Sequence, residues 1–285
     1  MQRMGIIGGS GLYRMEGMEF VEELELDTPF GKPSAPLTLA RMHGKEIVFL
    51  PRHGSKHTTP PHRINYRANI YAMKLAGVSR IVSISAVGSL NENISPGDFV
   101  IVDQFVDRTH SRDDSFFDGP IVAHVSMADP VCPLLRHQLI DVCDALEISV
   151  HTSGTYLVMQ GPQFSTRAES RLYRQWGMDV IGMTNLPEAK LAREAEICYA
   201  TVAMCTDFDC WHETEEDVSV QSVIEIMQKN VAKAKKMLDK WLQLPSEENV
   251  CPHCARALDD GLFTELKTHD DDALKRIFAL VERKL

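Results

Sequence analysis

The sequence predicts an α/β fold with a mostly parallel or mixed sheet, on three observations. Short apolar runs alternate with amphipathic helical segments along the 285 residues, which is the pattern of strand–helix–strand units. A Gly-rich turn follows the first apolar run, inside residues 3–12. A long apolar run at 79–90 ends in small residues, at the position where open α/β sheets bind their ligands.

The composition excludes several classes of protein. With 44% hydrophobic and 25% charged residues, the chain is typical of globular proteins. Thirty basic against forty acidic residues give a net charge of −10, which disfavours nucleic-acid binding. No apolar stretch reaches the about 20 residues of a membrane span, and the N-terminus lacks the apolar core of a signal peptide. Seven cysteines, an odd number, favour a reducing compartment. We therefore expect a cytoplasmic protein with neither a nucleic-acid nor a membrane partner.

The first half of the chain is predicted to consist of short strands and two helices. Apolar spacing that closes at Gly77 predicts a helix over 64–77, and a second helix is expected over 133–146. Proline and glycine residues separate the strand-like runs. The expected strands lie within 3–12 and at 20–26, 37–41, 46–50, 79–90 and 99–105, and 107–119 is expected to be a loop.

The second half is predicted to continue the alternation. Ser165 or Thr166 is expected to cap a helix that follows the turn at 160–169. The residues at 245–250 read as a linker, which predicts a domain over 1–245 and a C-terminal extension over 246–285. Strands are expected at 151–159, 179–183 and 197–206, and helices at 187–194, 219–242 and near 271–284.

Two carboxylates follow the strand predicted at 197–206. In an extended chain residues i and i+2 share a face, so Asp207 and Asp209 are expected to point the same way. Two nearby carboxylates resist ionising together, which raises the pKa of at least one of them. A carboxyl that stays protonated near neutral pH can donate a proton. From the local sequence alone, a strand end or a helix cap explains the pair equally well.

Two other segments are candidate anion sites. The Gly-rich turn lets backbone N–H groups approach an anion, and Ser10 adds a hydroxyl. Arg14 stands where the dinucleotide fingerprint requires glycine, which weakens the alternative of an NAD-binding oxidoreductase, and no Lys-Ser/Thr follows, which excludes a P-loop. Arg52, in the basic segment 51–57, offers a fork of donors suited to phosphate. A solvated loop remains the alternative for this segment.

Metal binding is only weakly indicated. The histidines at 53, 57 and 62 have no cysteine or carboxylate at a recognised ligand spacing. The tail contains Cys251-Pro-His-Cys254, and a zinc site needs about four ligands, whereas no second C-x-x-C exists. We therefore expect no metal, and zinc, a disulfide and free thiols stay open for the tail.

Eight motifs occur together in the chain, and their order is specific. They are GIIGGSGL at 5–12, TPFGKPS at 28–34, RHG at 52–54, NYRAN at 65–69, SAVGSL at 85–90, GPQFSTRAE at 161–169, GMTNLPEAKLA at 182–192 and TDFDCW at 206–211. Over roughly residues 4–242 this set resembles the family of trimeric purine nucleoside phosphorylases, and most closely the branch that cleaves 5'-methylthioadenosine. The resemblance implies a three-layer α/β/α fold around a mixed, largely parallel sheet, and a homotrimer or a dimer of trimers.

The resemblance also implies roles for individual residues. Phosphate would be bound by Ser10, Arg52, His53, Ser85, Ala86 and Thr184. The nucleoside would be bound by Phe164 stacking on the base, Met183 at the ribose, and Asp207 and Asp209 at the purine. The apolar stripe of Val220, Val223 and Ile224, otherwise typical of a core-facing helix, would line a methylthio pocket, and His124 would reach the site of a neighbouring subunit. The chain departs from the family at Gln160 and Gln163, where relatives often have Glu and Arg, and in having Ser for Thr at 10 and 85.

The implied reaction is the phosphorolysis of methylthioadenosine to adenine and methylthioribose 1-phosphate, in purine and methionine salvage. Phosphate is then a co-substrate and no cofactor is expected. Asp207 would protonate N7 of the purine as general acid, and Asp209 would accept a hydrogen bond from its 6-amino group. Phosphorolysis of adenosine, 5'-deoxyadenosine or 6-oxo nucleosides, and a nucleoside-binding protein without turnover, are the alternatives.

Overall fold

The computed structural model describes residues 3–12, 15–212, 220–245, 251–266 and 271–285. The strands are β1 Arg3–Gly8, β2 Glu19–Leu24, β3 Leu37–Met42, β4 Lys45–Pro51, β5 Val78–Ser89, β6 Phe99–Ile101, β7 Gln104–Arg108, β8 Val150–His151, β9 Thr155–Met159, β10 Val180–Gly182 and β11 Cys198–Phe208. The helices are α1 Tyr66–Leu75, α2 Pro133–Ala145, α3 Arg167–Gln175, α4 Asn185–Glu194, α5 Val220–Gln243, α6 Pro252–Ala255 and α7 Asp271–Val281.

The strands form one mixed sheet, as the sequence predicts. Its main path runs β2-β3-β4-β1-β5-β10-β9-β7, and β11 joins β5 to β6, which in turn pairs with β8. The pairs β1–β4, β1–β5, β5–β11, β9–β10, β7–β9 and β6–β8 are parallel, and the remaining four are antiparallel. The fold is therefore α/β with a largely parallel sheet.

Helices cover both faces of the sheet, which makes three layers. Neighbouring residues of β4 point to opposite faces, so Val48 joins one core and Phe49 the other. The first core contains side chains of α1, α4 and α7, and the second contains side chains of α2 and α5. Strands buried on both faces are continuously apolar rather than alternating, and this is the pattern that β5 and β11 show in the sequence.

Two predicted strands are wrong in one respect, because each is divided in the structure. The run 99–105 forms β6 and β7, and the run 151–159 forms β8 and β9. At the break the Asp103 N–H donates to Gly154 O, and the Gly154 N–H donates to Asp103 Oδ1. The chain changes partners there, from β11 before the break to β9 after it.

Strand β5 divides the sheet at its C-terminal end. Its first part lies between β1 and β11, and its last residues pair with β10 on one side and β11 on the other. Ala86 is exposed, although the residues on either side of it are buried. An exposed residue inside a buried strand marks an opening in the layers, and this opening lies at the strand end where α/β sheets bind ligands.

The C-terminal segment packs against the body of the protein. Leu258 and Leu280 join the first core, and the two cysteines of the tail motif join the second. A β-bridge links Ala123 with Leu262. The division at residue 245 stays a prediction. No helix among the described residues is long and apolar enough to cross a membrane.

Candidate active site at the end of the central strand

The two aspartates lie together over Gly88 of β5. Asp207 pairs with Gly88 after a register shift that follows Cys205. A Cβ at Gly88 would lie 3.1 Å from Asp207 Oδ1 and 3.4 Å from the Asp209 Cβ, so the absence of a side chain at Gly88 gives both residues room. The Thr206 hydroxyl donates to Asp207 Oδ2 at 2.6 Å. The pair is thus held on one side of the sheet by the strand bulge.

Asp209 is the more buried of the two aspartates, with 9% of its surface exposed. Burial raises the pKa of its carboxyl, and the charge of Glu169 acts in the same direction. Repulsion from Asp207, the cause expected from the sequence, is not among the causes. The nearby Ser170 hydroxyl acts in the opposite direction and lowers the pKa of Asp209. Even so, Asp209 Oδ2 has no hydrogen-bond partner of normal geometry among the described residues. A buried acceptor of this kind fits a ligand donor.

Hydroxyl groups from two predicted phosphate-site residues meet beneath the opening at Ala86. Ser85 Oγ lies 3.2 Å from Thr184 Oγ1 and 3.2 Å from the Tyr156 hydroxyl. Thr184 follows β10 and Ser85 belongs to β5, so the antiparallel pairing of these strands brings the two residues together. Tyr156, which the sequence analysis did not single out, connects β9 to the same cluster.

Arg52 stays a predicted phosphate-site residue, but in the structure most of its guanidinium donors are directed at a carboxylate. Arg52 is 2% exposed, and its Nε and Nη2 donate to Glu188 at 2.8 and 2.9 Å. Further N–H groups donate to Ile84 O at 3.3 Å and to the Ser83 hydroxyl. Four of the five guanidinium hydrogens thus have protein acceptors, and at most one remains for an anion.

Glu188 organises this buried network. It accepts hydrogen bonds from Ser83 at 2.7 Å and Tyr199 at 2.8 Å as well as from Arg52. The side-chain amide nitrogen of Asn185 lies within 3.0 Å of the hydroxyls of Ser83, Tyr199 and Thr201, and its two hydrogens are shared among them. None of these residues was predicted from the sequence, although a glutamate among the apolar residues of 186–192 is a signal of a buried, paired carboxylate.

His53 is a neutral imidazole at neutral pH. Burial lowers the pKa of His53 to about 4. Its Nδ1 lies 2.9 Å from Thr59 O, and because a carbonyl only accepts, Nδ1 carries the proton. Nε2 is therefore an acceptor, suited to the hydroxyl of a protonated phosphate rather than to a bare anionic oxygen.

Met183 lies against the glycine turn that precedes Phe164. Phe164 is 80% exposed, which excludes the interpretation that it fills the core. Gly161 has φ +65°, and a Cβ there would lie 2.6 Å from Met183 Sδ. Cys210 Sγ contacts Ser165 O at 3.4 Å, so the Phe164 turn lies against the loop after Asp209. Thr166 caps α3 with a capping box that includes Glu169, and the predicted cap is confirmed.

Arg112 fixes the position of the turn before Phe164 through hydrogen bonds to backbone carbonyls. Its guanidinium donates to Met183 O at 2.9 Å, Leu186 O at 2.7 Å and Gln160 O at 2.7 Å. Gln160 Oε1 accepts from Arg112 Nε at 3.1 Å. At Gln160, one of the four positions where the resemblance implies a departure from the family, a neutral amide thus helps to position this loop.

The remaining predicted site residues lie apart from this cluster or outside the description. His124 is exposed, and its ring packs against that of Phe263 with the ring centroids 5.2 Å apart. Ile224 is 43% exposed near the start of α5. The side chains of Ser10, Val220 and Val223 are not among those that the structure describes. The backbone of Ser10 belongs to the turn that follows Gly8, and the Gly8 carbonyl accepts a hydrogen bond from the backbone N–H of Arg52.

A group of cysteines lies away from this site. The Sγ atoms of Cys132, Cys251 and Cys254 are all within 4.8 Å of one another, and all three residues are buried. The sequence contains no second C-x-x-C, and the third cysteine of this group, Cys132, comes from a distant part of the chain.

Comparison with known proteins decides the family. The sequence profile of the Phosphorylase superfamily matches residues 3–243. The chain belongs to this superfamily. This phosphorylase is similar to the S-methyl-5'-thioadenosine phosphorylase of Geobacter sulfurreducens, with 52% identity covering 93% of this chain and 92% of the relative. It is similar to the protein of the same name from Bradyrhizobium diazoefficiens, with 52% identity over 99% and 98% of the two chains.

Solved structures agree with this assignment. The fold of this phosphorylase is similar to that of a methylthioadenosine phosphorylase from an antarctic soil metagenomic library, with a TM-score of 0.93, 45% identity, and coverage of 97% and 98%. It is also similar to the methylthioadenosine phosphorylase from Schistosoma mansoni in complex with adenine, with a TM-score of 0.84, 35% identity, and coverage of 92% and 99%. The similarity extends past residue 242 into the tail, which the motifs did not include.

Proposed function

We propose that this chain is a pentosyltransferase that cleaves S-methyl-5'-thioadenosine with phosphate, giving adenine and S-methyl-5-thio-α-D-ribose 1-phosphate. The observation that carries the proposal is the pair of aspartates at the end of β11, one of them with a buried oxygen that has no hydrogen-bond partner among the described residues. Relatives named for this activity, at 52% identity over more than nine-tenths of both chains, support the substrate.

Phosphate binds beneath the sugar in this proposal. Its oxygens accept from the hydroxyls of Ser85 and Thr184, from the backbone N–H of Ala86 and from the Gly-rich turn at Ser10. Arg52 contributes its positive charge and its remaining N–H, and His53 accepts from the phosphate hydroxyl. Since Glu188 offsets much of the Arg52 charge, hydroxyl and backbone donors carry most of the binding.

The aspartates act on the purine. As the bond between C1' and N9 breaks, positive charge develops on the sugar, and the phosphate anion stabilises it before its oxygen bonds to C1'. The departing base gains electrons, and Asp207 donates a proton to N7. Asp209 Oδ2 accepts from the 6-amino group, and Phe164 stacks on the base.

The ribose and its 5'-substituent complete the site. Met183 contacts the ribose, and Val220, Val223 and Ile224 line a pocket for the methylthio group. His124 acts in the site of a neighbouring copy, which makes the protein a homotrimer or a dimer of trimers. The exposed position of His124 supports this part of the proposal.

The setting of the reaction follows from its chemistry. The enzyme belongs to purine and methionine salvage in the cytoplasm, and phosphate is its co-substrate, with no further cofactor in the catalytic step. All seven cysteines are described and none is bonded to another, which suits a reducing compartment.

A substrate comparison tests the proposal. With phosphate in excess, release of the free base is measured from methylthioadenosine, adenosine, 5'-deoxyadenosine and methylthioinosine. We expect the highest kcat/KM for methylthioadenosine, because an apolar 5' pocket disfavours a hydroxyl that would lose its water hydrogen bonds. A higher kcat/KM for methylthioinosine would instead assign a 6-oxo phosphorylase. Binding of methylthioadenosine without release of adenine would assign a nucleoside-binding protein.

Matched variants test the two aspartates. Asp207→Asn is expected to lower kcat by roughly 10²- to 10⁴-fold, since it removes the general acid, while the thermal stability stays near that of the wild type. Asp209→Asn is expected to retain more of kcat than Asp207→Asn does. The opposite ranking would make Asp209, whose pKa is raised by burial, the acid.

A further inference from the structure

A buried group of thiols lies where three distant parts of the chain meet. Cys132 directly precedes α2, Cys198 is the first residue of β11, and Cys251 and Cys254 are at the start and within α6. All four residues are 5% exposed or less. Their sequence spacing, with one C-x-x-C and two isolated cysteines, gives no sign of this arrangement.

The sulfur atoms are close enough to share one ion. The Sγ atoms of Cys132, Cys251 and Cys254 lie within 4.8 Å of one another. Cys198 Sγ contacts the thiols of Cys132 and Cys254, and it also accepts from the Cys251 backbone N–H. In a tetrahedral zinc tetrathiolate with Zn–S bonds of about 2.3 Å, the sulfurs lie about 3.8 Å apart. Cys198 lies outside the group whose Sγ atoms are all within 4.8 Å of one another, so its side chain must move toward the other three to complete a tetrathiolate site.

The surroundings of the thiols suit a negatively charged cluster. The Arg193 side chain is buried and its Nη1 lies 3.8 Å from Cys254 Sγ. The backbone N–H groups of Leu135 and Cys251 are directed at Cys132 and Cys198. N–H groups directed at sulfur stabilise thiolate ligands and orient them. Four thiols packed together in an apolar core would otherwise find few partners.

We propose that four buried cysteines bind one structural zinc ion. The ligands are Cys132, Cys198, Cys251 and Cys254. Zn²⁺ replaces the thiol protons, so that four S–H groups and one ion give a tetrathiolate of charge −2 and four released protons, with no change of oxidation state. Four protein ligands leave no open position, which makes the site structural rather than catalytic.

The zinc ion links the C-terminal tail to the first residue of β11, the strand that has Asp207 near its other end. From this tie the tail continues to residues 261–264, where His124 N–H donates to Gly261 O at 2.7 Å and Phe263 N–H donates to Val122 O at 3.1 Å. The tail thereby supports the loop that presents His124. The ion lies at the opposite end of β11 from Asp207, so it does not act on the substrate.

Metal analysis of the purified full-length chain tests the proposal. The protein is expressed in zinc-containing medium, purified with a reducing agent and no chelator, and analysed by inductively coupled plasma mass spectrometry. We expect about one zinc per chain in the wild type, and less than a tenth of that in Cys251→Ser/Cys254→Ser. Cys143→Ala, a buried cysteine of α2 outside the group, is the matched control and keeps its zinc.

Two further measurements keep the test decisive if the double variant does not fold. Wild-type protein grown with Co²⁺ is expected to show the intense visible and thiolate charge-transfer bands of tetrahedral cobalt tetrathiolate. Alkylation after denaturation without reductant is expected to modify all seven cysteines. Metal-free wild-type protein with seven free thiols would overturn the proposal. Metal-free protein with one or two disulfides among the four cysteines would overturn it in favour of covalent cross-links.

Discussion

Glu188→Gln is expected to destabilise the protein strongly. Glu188 accepts four hydrogen bonds, two from Arg52 and one each from Ser83 and Tyr199. A glutamine has one oxygen and one amide group, so whichever way it turns, its N–H₂ faces a donor. The change also leaves the charge of Arg52 buried without a counter-ion. Breaking a buried ion pair from one side costs about 3–5 kcal/mol.

The free energy of unfolding, measured by urea denaturation, checks this value. At roughly 2–4 °C per kcal/mol for a chain of this size, the loss corresponds to a fall in Tm on the order of 10 °C. The matched variant is Arg52→Met/Glu188→Leu, which removes both charges. It is expected to recover much of the loss, because apolar side chains often replace a buried pair at little cost. A Glu188→Gln protein within about 1 kcal/mol of the wild type would refute the network.

The effect of phosphate on thermal stability provides a second test with the same variant. In the wild type most of the guanidinium is engaged by Glu188, whereas in Glu188→Gln its charge is uncompensated. An anion that binds beside Arg52 therefore stabilises the variant more than it stabilises the wild type. We expect phosphate to raise the Tm of Glu188→Gln by more degrees than that of the wild type. An equal shift, or none, would place phosphate away from Arg52.

Three further predictions follow from the site. Asp209→Asn is expected to lower kcat/KM for methylthioadenosine by roughly 10- to 100-fold, because it removes a hydrogen bond to a charged group. It is also expected to raise the rate with methylthioinosine relative to methylthioadenosine, since an amide can donate to a 6-oxo group. An unchanged ratio of kcat/KM between the two substrates would contradict the contact of Asp209 with the base. Gly161→Ala is expected to cost more than about 1 kcal/mol of stability and to raise the KM for the nucleoside, because φ is +65° and the new Cβ would contact Met183. A variant with the same free energy of unfolding as the wild type, measured by urea denaturation, would argue against this geometry. The free energy of unfolding is expected to fall as the pH drops from 6.5 towards 4. The reason is that His53 has a pKa of 6.5 in the unfolded chain and of about 4 in the folded protein, so protons bind preferentially to the unfolded chain. In His53→Gln the free energy of unfolding should depend less on pH over this range, and an unchanged pH dependence would contradict the lowered pKa.

The sequence predicts the parts of this fold that depend on local patterns. The apolar run that becomes β11 and the Thr166 cap lie where their residue types require them. Boundaries of helices shift by a residue or two, as at α1. The polar residues Asp103 and Gln104 lie at the division of β6 from β7, but the sequence does not show that the chain changes its strand partner there.

The unpredicted features join residues that are far apart in the chain. The sequence offers Arg52 as a phosphate ligand but does not show that Glu188, 136 positions later, engages its fork. The raised pKa of Asp209 follows from burial, which only the folded chain determines. The tail cysteines likewise acquire Cys132 as a neighbour only through the packing of α6 against the start of α2. Local spacing carries no information on such pairs.

The dependence of adenine release on phosphate tests the proposed reaction most directly. Methylthioadenosine is incubated with the protein in phosphate-free buffer and again with phosphate, adenine is quantified, and the sugar product is followed by ³¹P NMR. Adenine that forms only with phosphate, in equal amount to a new phosphate monoester signal, is the predicted result. Equal adenine release in both buffers, without a phosphorylated sugar, would indicate hydrolysis and contradict both the anion site at Ser85 and Thr184 and the reaction assigned to it.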